Sequence, residues 1–185
     1  MVFEDECGQS LRPPKARTWS RRGRTPVVKV SGKGSGRISV AGMVCAKSGL
    51  RTRLIYRMMA HHGRRGEKKG FKEADLARLL DAAHQQLGGP IVLVWDNSTQ
   101  HVDAAMRALI AERAWLTSFQ LPSYAPELNP EEGVWARLKG SLANLAACTT
   151  DQLAALAKTR LKRMQYRPDL LDGFIAETGL LLKPP

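Results

Sequence analysis

Three acidic residues occupy positions from which carboxylates could converge on a metal ion. Asp5 lies in the short extended segment VFEDE, Asp96 directly follows the apolar run IVLVW, and Glu132 follows the proline-punctuated loop PSYAPELNP. An acidic residue at the carboxyl end of a buried strand sits where α/β sheets commonly bind ligands. Clustered carboxylates repel one another unless a cation neutralises them, and hard oxygen ligands suit Mg²⁺ or Mn²⁺. Two such ions can support in-line displacement at phosphorus, so the three residues are compatible with phosphoryl transfer.

Each of these acids also has a purely structural interpretation. The segment NPEE fits a helix start in which Glu132 only closes a capping box. Asp96 could begin the next helix, and Asp5 could be a solvated strand residue. Helical periodicity does not decide between the two glutamates, because Glu131 lies on an apolar stripe while Glu132 aligns with a tryptophan and a lysine. Spacing alone therefore leaves both interpretations open.

The elements that must position the acids are strands in the first half of the chain and alternating helices and strands in the second. Strict alternation along VFEDE puts Asp5 on one face and Glu4 and Glu6 on the other. Turn residues, β-branched runs and helical leucine stripes mark the remaining elements. The predicted strands are VFEDE, PVVKV, RISVAGMVCA, LRTRLIYRMM, IVLVW and WLTSF, with a hairpin at SGKGSG, and the predicted helices are KEADLARLLDAAHQQL, 102–112, 131–145 and 151–164. This order predicts an α/β protein with a mixed sheet flanked by helices.

Charge is distributed unevenly along the chain. The 185 residues carry a net charge of +12, yet residues 1–72 alone carry 18 Lys or Arg against 4 Asp or Glu. An arginine-rich surplus on one side is typical of a phosphate-binding surface, although a solvated basic face would look similar. Three widely spaced cysteines without a CxxC pair argue against a disulfide framework or a thiolate zinc site. No apolar run is long enough to predict a membrane span or a signal peptide.

Longer motifs around the acids resemble a known family. The segments IVLVWDNSTQH and FQLPSYAPELNPEEGVWARLK, together with FEDECGQSLRPPKARTWSRRGRTPVV, are similar to the catalytic core of DDE transposases of bacterial insertion sequences related to the mariner superfamily. The resemblance extends from about residue 3 to about residue 145. It implies an RNase H-like fold, with a catalytic domain at 1–147 and a helical extension at 148–185 packed on it. Members of the family usually carry an amino-terminal helix-turn-helix domain, and we expect none in this chain because only four residues precede Asp5.

The resemblance assigns roles to individual residues. Asp5, Asp96 and Glu132 match the three catalytic, metal-binding acids, with 35 residues between the last two. Asn97 and His101 match the DN-x-x-x-H pattern, and Glu131 stands at a position that is often apolar in the family. Supporting roles are expected for these three. The expected DNA-binding residues are Arg17, Trp19, Arg21, Arg22, Arg24, Arg64, Arg65, Lys68 and Lys69.

The implied activity is metal-dependent cleavage of insertion-sequence ends and strand transfer into target DNA. The implied cofactor is Mg²⁺ or Mn²⁺, with two ions that activate the attacking hydroxyl and stabilise the leaving oxygen. We expect DNA as partner, a separate helix-turn-helix polypeptide for end recognition, a possible homodimer, and a cytoplasmic, nucleoid-associated location. Two alternatives stay open at this point: a truncated or inactive DNA-binding remnant, and another RNase H-like nuclease.

Overall fold

The structure is a computed structural model that describes residues 1–30, 36–146 and 148–180. One five-stranded mixed sheet has the strand order β3-β2-β1-β4-β5. The strands are β1 (Val2–Ser10), β2 (Arg37–Cys45), β3 (Arg53–His61), β4 (Ile91–Trp95) and β5 (Leu116–Gln120). The helices are α1 (Glu73–Leu87), α2 (Thr99–Val102), α3 (Ala104–Ala111), α4 (Glu131–Ser141), α5 (Thr150–Gln165) and α6 (Pro168–Glu177), with a 3₁₀ turn at Pro126–Leu128.

Helices cover both faces of the sheet, and the alternation of side chains along the strands divides the core in two. On one face, Val40 and Val44 of β2 pack with α4, α5 and α6. On the other face, Ala41 and Met43 of the same strand pack with α1 and α3. Period-two alternation in a doubly covered sheet explains why β2 is apolar at almost every position. Asp5 of β1 therefore belongs to the α4 face, and its neighbours along the strand belong to the other.

Strand directions bring several chain segments to one edge of the sheet. β1 and β2 are antiparallel, as are β2 and β3, whereas β4 runs parallel to both β1 and β5. The carboxyl ends of β1, β3, β4 and β5 consequently point the same way. The basic segments after β1 and β3, and the acid after β4, all leave the sheet at this edge.

Several predicted elements differ from the observed ones. The segment 26–30, predicted as a strand, has no regular secondary structure and is solvent-exposed; β1 extends to Ser10 and pairs directly with β2 along its whole length. The predicted helix 102–112 corresponds to α3, which begins at Ala104 because Asp103 caps it by accepting a hydrogen bond from the Met106 amide; the short helix α2 before it was not predicted. The helix α6 was not predicted at all. The predicted hairpin at 31–36 lies mostly outside the described residues.

Across the described ranges, no helix is both long and apolar enough to span a membrane. The cysteines Cys7, Cys45 and Cys148 are all unpaired, and burial raises the pKa of the Cys7 and Cys45 thiols to about 12.

Candidate active site

The three acids singled out from the sequence line one pocket at the shared edge of the sheet. Asp5, Asp96 and Glu132 face a cavity of about 470 Å³, together with the loop 121–126 that links β5 to α4. The parallel register pairs Val2 with Leu93 and Phe3 with Val94, and the same offset along the two chains places Asp5 level with Asp96. Residues more than ninety positions apart thus meet because β1 and β4 are neighbours in the sheet.

Asp5 is the most enclosed of the three carboxyl groups. The Trp135 indole N–H donates to its Oδ2 at 3.0 Å, and the Glu6 amide donates to its Oδ1 at 2.8 Å. Burial raises the pKa of Asp5 to about 6, and the nearby carboxyl groups of Glu132 and Asp96 add to the rise although both hydrogen bonds oppose it. Asp5 is therefore oriented by two donors and carries its charge at an energetic cost.

Asp96 is held through one of its two carboxyl oxygens. Its Oδ1 accepts a hydrogen bond from the Ser98 amide at 2.9 Å and lies 2.7 Å from Nδ1 of His101. The Asn97 side chain points away from Asp96 and donates to the Leu121 carbonyl at 2.7 Å, which ties the end of β4 to the loop after β5. Asn97 therefore positions the pocket wall, and His101 contacts a pocket acid directly.

The two glutamates at the start of α4, which helical periodicity could not distinguish, differ in their exposure to solvent. Glu132 is exposed and lines the pocket, whereas Glu131 is 0% exposed. Burial, reinforced by the charge of Asp5, raises the pKa of Glu131 well above its usual value. The Asn129 side chain accepts from the Glu131 amide and donates to the Glu4 carbonyl, so this loop residue fixes α4 against β1. Glu132 does not close the capping box considered above, because Pro130 is the residue before the helix.

A glycine makes the close approach of α4 to the sheet possible. Gly42 of β2 lies opposite Asp5, and a Cβ built there would stand 2.7 Å from the Trp135 ring and 2.9 Å from Oε2 of Glu131. Any larger residue would push Trp135 away from Asp5. The requirement for glycine is thus set by a side chain from a distant helix.

Sequence reasoning missed several residues that shape the site. Trp135 was interpreted as core packing; it is buried, but it also donates to Asp5. Tyr124 lines the pocket fully exposed, with a left-handed backbone at φ 59°. Glu4 and Glu6 lie beside His101 across the strand from Asp5. Their position on that face followed from strand alternation, but their proximity to His101 depends on where α2 packs.

The predicted DNA-binding residues are exposed and lie on two segments at the same edge of the sheet. Those at 17–24 follow β1, and Trp19 is 99% exposed. Asn144 anchors this segment by bonding both the amide and the carbonyl of Ala16. The residues at 64–69 follow β3, and Lys68 there pairs with Asp75 at 3.3 Å. Their exposure leaves most of these cations available to a polyanion.

A comparison with models of protein families shows to which family the chain belongs. A family model described as DDE superfamily endonuclease matches residues 1–154. The chain belongs to the DDE superfamily endonucleases. The resemblance inferred from the motifs is therefore confirmed, and the family is one of nucleases. No curated protein matches the chain in sequence.

Solved structures similar to this DDE endonuclease chain are those of the Mos1 transposase. A Mos1 paired-end complex with the left transposon end has a TM-score of 0.60 at 14% identity, covering 98% of this chain and 56% of that one. A Mos1 mariner paired-end complex with Mg has a TM-score of 0.60 at 16% identity, and the match covers 97% of this chain and 55% of the Mos1 chain. The Mos1 catalytic domain has a TM-score of 0.54 at 14% identity, and the match covers 97% of this chain and 82% of that domain's chain. The RNase H-like fold is confirmed, and the chain spans little more than half the length of the Mos1 chains in the complexes.

Proposed function

We propose that this chain is the catalytic domain of a transposase that cuts and rejoins DNA with the help of two Mg²⁺ or Mn²⁺ ions. The observation that carries the proposal is the convergence of Asp5, Asp96 and Glu132, from three separate elements, in one pocket. The donor set fits the proposed ions: three carboxyl groups line the pocket, and no lysine or arginine of the described chain does. Oxygen ligands of this kind suit Mg²⁺ and Mn²⁺.

Asp5, Asp96 and Glu132 would hold the ions. When bound, the ions would activate the attacking water or 3′-hydroxyl and stabilise the leaving oxygen of a phosphodiester. The protein contributes orientation: the Trp135 N–H fixes one oxygen of Asp5, and His101 and the Ser98 amide fix one oxygen of Asp96. Both oxygens of Asp5 accept one hydrogen bond each, and each oxygen keeps a second lone pair for an ion. Rigid placement of charged ligands before the substrate arrives is the main protein contribution to such reactions.

DNA is the proposed substrate. The similar structures include one described as a complex with a transposon end and others with Mg and Mn. The exposed arginines at 17–24 and 64–65 leave the sheet at the pocket edge, where they would contact the phosphate backbone on either side of the cut. A separate helix-turn-helix polypeptide, a homodimer and a nucleoid-associated location remain predictions.

Nicking of supercoiled DNA tests the proposal. The chain is incubated with Mg²⁺ or Mn²⁺ beside the variants Asp96→Asn and Glu132→Gln, with Glu177→Gln as the matched control, since Glu177 is exposed at the end of α6. We expect metal-dependent nicking by the wild type and the control and none by the two pocket variants. Nicking that survives either pocket variant would refute the role of that residue. DNA binding without nicking by the wild type would favour the DNA-binding remnant.

A further inference from the structure

A second group of acidic side chains lies on the face of β1 opposite to Asp5. Glu4 and Glu6 point away from the pocket because side chains alternate along the strand. Both face His101, which α2 presents from the end of β4, and ligand atoms of the three residues lie within 4.8 Å of one another. Glu4 and His101 are each 1% exposed. The cluster therefore sits inside the protein, behind the wall of the pocket.

Three polar atoms of this cluster, both carboxyl oxygens of Glu4 and Nε2 of His101, make no hydrogen bond within the described residues. His101 Nε2 lies 3.5 Å from Oε2 of Glu4 and 3.4 Å from Oε2 of Glu6, and it makes a hydrogen bond to neither. Within the described residues, both carboxyl oxygens of Glu4 are buried without a hydrogen-bond partner. Buried polar groups almost always make hydrogen bonds, so a buried carboxyl group and an imidazole nitrogen that meet only as a long ion pair point to a missing ligand between them.

The separations of Nε2 of His101 from the two carboxyl groups suit a tetrahedral metal ion. Zinc binds carboxylate oxygen and imidazole nitrogen at about 2.0–2.1 Å, which sets tetrahedral ligands about 3.3–3.4 Å apart. The two measured separations from His101 Nε2 are 3.5 Å and 3.4 Å, longer than an ordinary charged hydrogen bond and close to this tetrahedral edge. We infer that Glu4, Glu6 and Nε2 of His101 bind a divalent cation of the Zn²⁺ class, distinct from the ions proposed for the pocket.

The surroundings hold the proposed ligands in place. The Trp95 ring stacks on the imidazole of His101 with centroids 4.3 Å apart and planes inclined by 7°. Gln100 donates to Oε1 of Glu6 at 2.6 Å, which leaves Oε2 of Glu6 for the ion. A stacked imidazole and an anchored carboxylate need little rearrangement on metal binding, which favours affinity.

The ion would also orient a pocket acid. With Nε2 on the metal, the imidazole proton resides on Nδ1, which lies 2.7 Å from Oδ1 of Asp96 and would donate to it. A metal-bound histidine that donates its other N–H to a carboxylate is a common arrangement. His101 then acts as a positioning residue for Asp96. Binding of the ion does not depend on the proposed function, whereas this consequence rests on it.

Metal content and affinity test the site separately from activity. The double variant Asp5→Asn/Glu132→Gln removes two pocket carboxylates and leaves the Glu4 cluster intact. It is loaded with Zn²⁺, dialysed and analysed for metal, and its affinity is measured against a chromogenic chelator. Glu4→Gln is then added to this background, with His62→Asn as the control, because His62 is an exposed histidine beside Glu67 and Asp151. Co²⁺ loading reports the geometry through its visible absorption.

We expect one Zn²⁺ per chain in the double variant, a tetrahedral Co²⁺ spectrum, an affinity at least tenfold weaker after Glu4→Gln, and no change after His62→Asn. No retained ion, an affinity unaffected by Glu4→Gln, or loss of the ion in the His62 control would each overturn the inference. Circular dichroism of the metal-free variants checks that Glu4→Gln folds. Nicking by the wild type is scored independently, so failure of this site would leave the proposed function standing, and the reverse also holds.

Discussion

Replacement of Asp5 by asparagine should become more favourable to the stability of the metal-free protein as the pH rises from acid to neutral. The pKa of Asp5 is about 6, against 3.8 for an unperturbed group. The folded chain therefore binds this proton more tightly than the unfolded chain, and the stability linked to it is present below pH 3.8 and lost as the pH rises through 6. The full loss is about 3 kcal/mol, since one pKa unit is worth about 1.4 kcal/mol. Asparagine carries no such charge.

The assay compares free energies of unfolding in urea, with EDTA present, for the wild type and Asp5→Asn at pH 4 and pH 8. The advantage of the variant should grow by about 2–3 kcal/mol between these pH values, and taking the difference cancels effects that do not depend on pH. Asp169→Asn serves as a control of opposite sign, because the Arg167 guanidinium lowers the pKa of Asp169. An advantage of Asp5→Asn that stays constant, or shrinks as the pH rises, would refute the reasoning.

Three further substitutions test the surroundings of Asp5. Gly42→Ala should cost about 1–3 kcal/mol of unfolding free energy in urea, because the added Cβ meets Trp135 and Glu131, and a cost near zero would contradict the close packing. Trp135→Phe removes the N–H donor to Asp5 and should slow metal-dependent nicking about tenfold, the value of one hydrogen bond to a charged group; an unchanged rate would show that the bond is not used. Glu131→Gln should keep the nicking rate within about twofold, because Glu131 is buried and its pKa is raised. Glu132→Gln should abolish nicking, because Glu132 lines the pocket. The opposite result would exchange the roles of the two glutamates.

The sequence was sufficient for the parts of the fold that depend on local pattern. Alternation in VFEDE predicted which face Asp5 occupies, and the apolar run before Asp96 predicted a buried strand ending at a ligand-binding edge. Both signals are short-range, because each follows from the geometry of a single strand. The family motifs supplied the long-range part, namely that Asp5, Asp96 and Glu132 should meet, and all three line one pocket.

Features decided by distant packing were not predictable from local pattern. The run PVVKV has the composition of a strand, yet β1 and β2 pair directly along nine residues and leave 26–30 no partner. Strand propensity is realised only where a neighbouring strand is available. Likewise, which of Glu131 and Glu132 reaches the pocket depends on how α4 packs against β2. Gly42, which permits that packing, lies almost ninety residues earlier in the chain.

The buried acids connect the energetics of this fold to its chemistry. Burial raises the pKa values of Glu4, Asp5 and Glu131, so in each case the folded protein opposes the charge that the side chain would carry in water at neutral pH. At Glu4, whose carboxyl oxygens accept no hydrogen bond within the described residues, an apolar side chain of similar volume would make a more stable metal-free protein. Buried acids are expected where a bound cation offsets the unfavourable charge, and Asp5 and Glu4 face the two places where the proposed ions would bind. Glu131 faces neither place, and no cation is proposed to offset its charge. Metal binding should therefore stabilise the wild type more than any variant that lacks Asp5 or Glu4, because only the wild type has both unfavourable charges to neutralise.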